Sequence, residues 1–403
     1  MTSRQFLLFQ AVVLWTLFFL LPKELKYFSA FSLDSAEVLS ALATIPVFLL
    51  ASSVLPIKVR HWLYLLGPFI FVQSLYSLIA GFLILAVAFF VAQLKPQARW
   101  LTALLILILI PLLFWANRSF YIDKSAPFAW LVLMIHTSWG IKLFAWIVSV
   151  RVYGRSYSLD QFVEFFFHPA FFMFTNDLNV LTPSRFFSGK MNEIKTHNKT
   201  VATFTFGLTL LVAYGFLQTA YFKNLSAFEF VGSSVVGGIL SVATAIIFHA
   251  ANVMVQISFL SCSGFQISLD MNAPWRATSP GDYWKRMHFY VREFILEILV
   301  KPLMTAAFRR NSGLIWGRLI VLMAIFSAFT LTQIGFQPYR NDRSTAVGLV
   351  ITGIFFCMTV LPEIIPRGFR NWAFGDGSVR SRVLTFLILI AGYSVIFSIR
   401  SGF

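Results

Sequence analysis

The sequence predicts an all-α, polytopic integral membrane protein with about ten to twelve membrane helices, among them re-entrant or interfacial segments. Two observations lead there. The 403 residues are 58% hydrophobic and only 12% charged, with a mean hydropathy of +0.77, where a soluble domain would carry roughly a quarter charged residues. Apolar stretches near 5–22, 38–55, 62–94, 101–116, 127–150, 201–222, 231–260, 314–336, 346–362 and 383–399 mostly reach the ~20 residues that a helix needs to cross a bilayer.

Taken in order, the first stretch has a single Arg4 ahead of it and no small-residue cleavage site before Pro22, which reads as a retained helix rather than a cleaved signal. The 62–94 run is long enough for two short helices or one long tilted one. The 160–175 run is short enough to be re-entrant, and Pro169, Pro183, Pro274 and Pro280 interrupt the polar stretches 160–190 and 270–291 too often for continuous spans. No repeat, low-complexity tract or soluble insertion divides the chain, so residues 1–403 read as a single transmembrane domain.

The net charge of +16 does not point to nucleic acid, because the cations fall in short groups between apolar stretches. Lys58 with Arg60, Lys95 with Arg99, and Arg151 with Arg155 occupy loops that can share one side. The positive-inside bias makes that side the cytoplasm and puts the N-terminus there too. Cys262 and Cys357 make no metal or redox spacing, and no bound cofactor or metal is expected. Ionisable residues inside apolar stretches are few, with His136, Lys142 and His249 the clearest; this is too sparse for an ion path and leaves a transporter as the weakest reading.

The stretch from Gly264 to Leu303 gathers charge, tryptophan, proline and one histidine between apolar segments. Ser279-Pro280 is a helix-start signal, and Trp284 and His288, four residues apart, share a helical face. Asp282 can pair with Lys285 or Arg286, and those cations can meet anionic lipid or substrate phosphates. His61 and His197 read as solvated loop residues, and His168 as bonded to a loop carbonyl.

Three landmarks in their order resemble the membrane-bound O-acyltransferases, especially the bacterial branch that acylates alginate and teichoic acids. They are His136-Thr137-Ser138-Trp139-Gly140 through Tyr153-Gly154, Phe165-Phe166-Phe167-His168-Pro169 through Arg185-Phe186, and Asn272-Ala273-Pro274-Trp275 followed by Ser279 through His288 and Lys301-Pro302-Leu303. The resemblance covers roughly residues 130–340, and only the third landmark is specific. It implies an acyltransferase-like core at 130–340 in a bacterial inner membrane, and an acyl thioester donor. The acceptor it implies is a lipid-linked or polymeric glycan, or a lipid. His288 then corresponds to the family's earlier histidine, and Asn272, Trp284, Lys285, Arg286, Arg185 and Gln333 to its substrate-binding groups.

Two departures bear on activity. No histidine follows His288, so the family's later catalytic histidine is absent, and Gln333 in that segment can hydrogen-bond a substrate but cannot take its proton near neutrality. At Phe248-His249-Ala250-Ala251-Asn252, His249 stands where bacterial members carry an aspartate, which makes it the candidate replacement base. The expected function is therefore acyl transfer by a divergent enzyme. The alternative is a degenerate, non-catalytic relative that binds lipid or glycan and scaffolds the proteins of an envelope complex.

Overall fold

A computed structural model of the chain describes residues 1–20, 27–28, 33–70, 75–93, 129–172, 180–191, 198–224, 232–268, 271–302, 367–374 and 377–401, with isolated positions between 350 and 358. These residues are mostly helical: α1 (Ser3–Leu20), α2 (Ser35–Val54), α3 (Ile57–Ile70), α4 (Leu75–Gln93), α5 (Ala129–Arg151), α6 (Leu159–Phe167), α7 (Pro183–Ser188), α8 (Asn198–Asn224), α9 (Gly232–Cys262), α10 (Pro280–Met287), α11 (Phe289–Phe294), α12 (Arg367–Phe374) and α13 (Val379–Ser401). One antiparallel pair, Tyr27–Phe28 with Leu33–Asp34, is the exception. Among the described residues, two helices are long and apolar enough to cross a membrane, over Asn198–Leu217 in α8 and Val236–Cys262 in α9. The 62–94 run is divided between α3 and α4.

The chain forms two compact units, residues 1–209 with 252–268, and residues 210–251 with 269–403. In the first, α1 packs on α2, α3 on α6, and α4 on α5. Arg4 donates to the Ser53 carbonyl at 3.0 Å and Gln93 to that of Tyr157 at 3.2 Å, which brings the start of α1, the end of α2, the end of α4 and the approach to α6 together in pairs.

The 160–190 stretch is not a continuous span. Ser158 caps α6 in a reciprocal box with Gln161, and Asp160 sits favourably in the first turn. Nine residues later Pro169 forces His168 out of the helical region, to φ −61° and ψ 124°. A helix that stops inside a protein leaves its last carbonyls without intrahelical donors. Here buried side chains supply two of them, Lys142 Nζ donating to the Phe165 carbonyl at 2.6 Å and Trp139 Nε1 to that of Phe166 at 3.1 Å, while Gln256 Nε2 donates to the Ala170 carbonyl at 3.5 Å in the turn that follows. Lys142 also lies 3.1 Å from the centroid of the Phe171 ring, so its head is fixed on two sides by one segment. Around this break Phe162, Phe165, Phe166, Phe167, Phe171 and Phe186 form a buried aromatic core.

In the second unit, α10 is the organising element. Tyr283 and Met287, one turn apart, are buried with Ala277 against Val242 of α9 and Leu389 of α13, while Lys285 is exposed on the other side. α9 and α13 approach closely at Gly238, where a Cβ would meet the Ser394 hydroxyl and, at 2.6 Å, the Ile390 carbonyl.

Candidate functional site

The second unit joins several of the residues singled out by sequence. Ser279 caps α10 by accepting from the Asp282 amide at 3.0 Å, and Pro280 occupies the first turn, where its missing N–H costs nothing. The Asp282 carboxylate accepts from the Thr278 amide at 3.1 Å and from Arg286 Nε at 2.8 Å. Arg286, rather than Lys285, is therefore the partner of Asp282. Its backbone and side chain then close the hairpin: the Asn272 amide donates to the Arg286 carbonyl at 2.8 Å, and Arg286 Nη1 donates to the Asn272 carbonyl at 3.3 Å. Between them Ala273 takes φ 45°, a left-handed conformation with a steric cost for a residue bearing Cβ, held in place by the pairing around it.

His288 ends α10 and begins α11, with φ −128° and ψ 62°. The helix is broken at this residue, although its amide still donates to the Trp284 carbonyl at 2.9 Å. The indole of Trp284 stacks on the His288 imidazole with centroids 4.6 Å apart and planes at 27°. From α9, the ring of His249, 6% exposed, meets the same imidazole at 4.7 Å and 64°. Two imidazoles and an indole thus form one contiguous group, assembled from two helices and a helix break. Neutral imidazole offers one lone pair and one N–H. A pair of them in contact brings together the acceptor and the donor that a proton transfer from a hydroxyl requires.

Tyr283, buried and next to Trp284 in the chain, has its phenol pushed well above the ordinary value, first by burial and then by Tyr393, and so remains a neutral hydroxyl at physiological pH. Arg185 belongs to the first unit, where Nη2 reaches the Ser268 hydroxyl at 3.4 Å and the Thr182 side chain caps its helix. Gln333 and the segment in which the later histidine would fall lie outside the described residues, as does His197. Among the described residues no group of three or more histidine, cysteine or carboxylate side chains could hold a metal ion.

Two features escape the sequence reading. His61 is not a solvated loop residue but the fifth residue of α3, wedged against α6 with 12% of its side chain exposed. Likewise His168 does not bond a loop carbonyl: its Nδ1 accepts from the Ala170 amide at 3.2 Å. Neither had a local signal, since their partners are set by the break after α6 and by the packing of α3 on α6. No family model matches the chain, and no curated protein matches it.

Proposed function

We propose that the chain is a multi-pass protein of a bacterial inner membrane, of O-acyltransferase ancestry, that transfers an acyl group from a thioester to a hydroxyl of a cell-surface polymer or lipid. The observation that supports this reading is the ring contact between His249 and His288 at 4.7 Å, which joins the family-like histidine to the one histidine that replaces an expected aspartate. In this reading His249 takes the acceptor hydroxyl's proton as its oxygen attacks the thioester carbonyl. The new C–O bond forms, the C–S bond breaks, and the proton passes to the leaving thiolate. His288, fixed by Trp284, donates a hydrogen bond to the reacting oxygen. Exposed Lys285, with Asn272 and Arg286 beside it in the same hairpin, faces the phosphate of a lipid-linked acceptor or of the donor.

Comparing His249→Ala, His288→Ala and the double variant with wild type for esters on envelope polymers, at equal protein abundance, tests this. Loss of a general base is expected to lower transfer by on the order of a hundred- to ten-thousand-fold. Full modification in the double variant rejects the pair. The absence of any histidine after His288 favours a second reading, a non-catalytic scaffold that binds lipid or glycan in an envelope complex. It predicts a phenotype on deleting the chain and none in the double variant.

A further inference from the structure

The second unit carries a cationic surface that the acyl-transfer reading does not use. Between residues 367 and 382 the sequence places Arg367, Arg370, Arg380 and Arg382 against a single acidic residue, Asp376. Arg367 and Arg370 are one turn apart in α12, which packs on α13, and Arg380 and Arg382 stand in the first turn of α13. Both of the latter are exposed, and so is Trp372 of α12, at 53%. The Arg380 guanidinium lies over the Trp372 ring, 4.9 Å from its centroid, which joins the two helices at their surface. A carboxylate in that place would neutralise the charge and occupy N–H donors, whereas an indole face does neither.

Beyond Arg380 the surface changes character. Val383 and Leu387 lie three and seven residues on, along the same face of α13, and Ala391 and Val395 continue the row in steps of four. All four are exposed, Val383, Leu387 and Val395 by 51, 55 and 49%. At 1.5 Å of rise per residue the apolar row is roughly 18 Å long, close to the ~15 Å of hydrocarbon in one bilayer leaflet. A helix facing water would carry polar side chains along such a row. Here the row is cationic at its start and apolar thereafter, the outline of a phospholipid with one charged head and a long acyl chain. A tryptophan beside the cations suits the headgroup level, where amphipathic rings collect. The apolar row by itself accepts any lipid, and the arginines select a negative headgroup.

We propose that Arg380, Arg382 and Trp372 hold the headgroup of an anionic phospholipid whose acyl chain lies along Val383, Leu387 and Val395. The headgroup phosphate accepts charge-assisted hydrogen bonds from the two arginines. Trp372 keeps the Arg380 guanidinium at the surface, and the chain covers the apolar row. The inference rests on the membrane reading of the chain and not on acyl transfer. It places the lipid near the proposed site all the same: Tyr283 of α10 packs against Phe386 of α13, one turn beyond Arg382, so α10 and the headgroup meet the same end of α13.

Native mass spectrometry of the full chain in mild detergent tests this, with phosphatidylglycerol and phosphatidylcholine of equal chain length in competition. A basic side chain near a negative headgroup is worth about fivefold in affinity. Wild type should therefore prefer phosphatidylglycerol by about tenfold or more, and Arg380→Gln with Arg382→Gln should bring the ratio close to one. Trp372→Ala should cost about two- to fivefold of the preference, and Trp372→Phe less. Val383→Ser with Leu387→Ser should weaken both lipids alike, since it removes chain contact and no charge. These side chains are all exposed, so each variant should keep the wild-type unfolding temperature. A wild type without headgroup preference, a preference retained in the double arginine variant, lipid affinity unchanged in the double serine variant, or displacement of the lipid by equimolar inorganic phosphate overturns the proposal. A chain that leaves the membrane fraction without detergent overturns the membrane reading with it, whereas a chain that needs detergent and shows no preference overturns this proposal alone.

Discussion

His249 meets His288 ring against ring, with centroids 4.7 Å apart, and His288 is in turn stacked on Trp284 at 4.6 Å. Because His288 sits at a break between two short helices, its backbone alone fixes the ring poorly, and the indole supplies the missing constraint. If the protein carries out the proposed acyl transfer, Trp284→Ala is therefore expected to lower it by about ten- to a hundredfold through misplacement of the imidazole. Trp284→Phe, which keeps a stacking face, should retain most of it. Both are measured by ester content of envelope polymer at matched abundance. Equal losses in the two variants would show that the indole N–H, rather than the stack, matters.

Gly238 marks a close approach of α9 to α13. Gly238→Ala should destabilise the protein by about 1–3 kcal/mol, because the added methyl meets the Ile390 backbone carbonyl as well as a side chain. Combining it with Ser394→Gly removes the hydroxyl but not the carbonyl, so thermal unfolding in detergent should recover only in part. Complete recovery would place the whole conflict on the Ser394 side chain.

Lys142 is fully buried, and its single amino head serves both the Phe165 carbonyl and the Phe171 ring. Lys142→Met fills the same volume but leaves a buried carbonyl unserved, a loss of about 1–3 kcal/mol. Lys142→Ala adds a cavity, for a total of about 2–5 kcal/mol. The expected order of unfolding temperature is wild type, Met, Ala. Wild-type stability in the Met variant would show that the carbonyl finds another donor.

The parts of the site that obey local rules were legible in the sequence. Ser279-Pro280 announced the start of α10, the spacing of Trp284 and His288 announced their shared face, and the proline before residue 170 announced the break after α6. What depended on packing was not. His249 could be suspected only as an odd residue in an apolar helix, since nothing local says which ring it meets. Lys142 stood out as an ionisable residue in an apolar stretch, but its acceptor is a backbone carbonyl, which every residue has, so composition is blind to it. His61 follows Pro56 closely and so resembles a loop residue, yet the chain re-enters a helix at Ile57 and its carboxylate partners lie a hundred positions away. The two units were hidden because two of their three boundaries fall inside α8 and α9, where no linker composition marks them.

His168 gives the protein an acid sensitivity of known sign. It is fully buried at the end of the short helix α6, and burial first, then nearby Lys142, lowers its pKa to about 3. An unfolded chain would titrate this ring near pH 6.5. Between those values the unfolded state binds a proton that the folded state refuses. The stability due to His168 is therefore complete above about pH 6.5 and is lost as the pH falls toward about 3, by at most ~1.4 kcal/mol per unit. His168→Leu leaves the Ala170 amide unserved and is destabilising at every pH. The informative quantity is thus the change between pH 7.5 and pH 5, which should be smaller in His168→Leu than in wild type when unfolding temperatures are compared in one detergent. An equal change in both proteins would mean that the buried ring accepts its proton without opening the Phe165–Phe171 break.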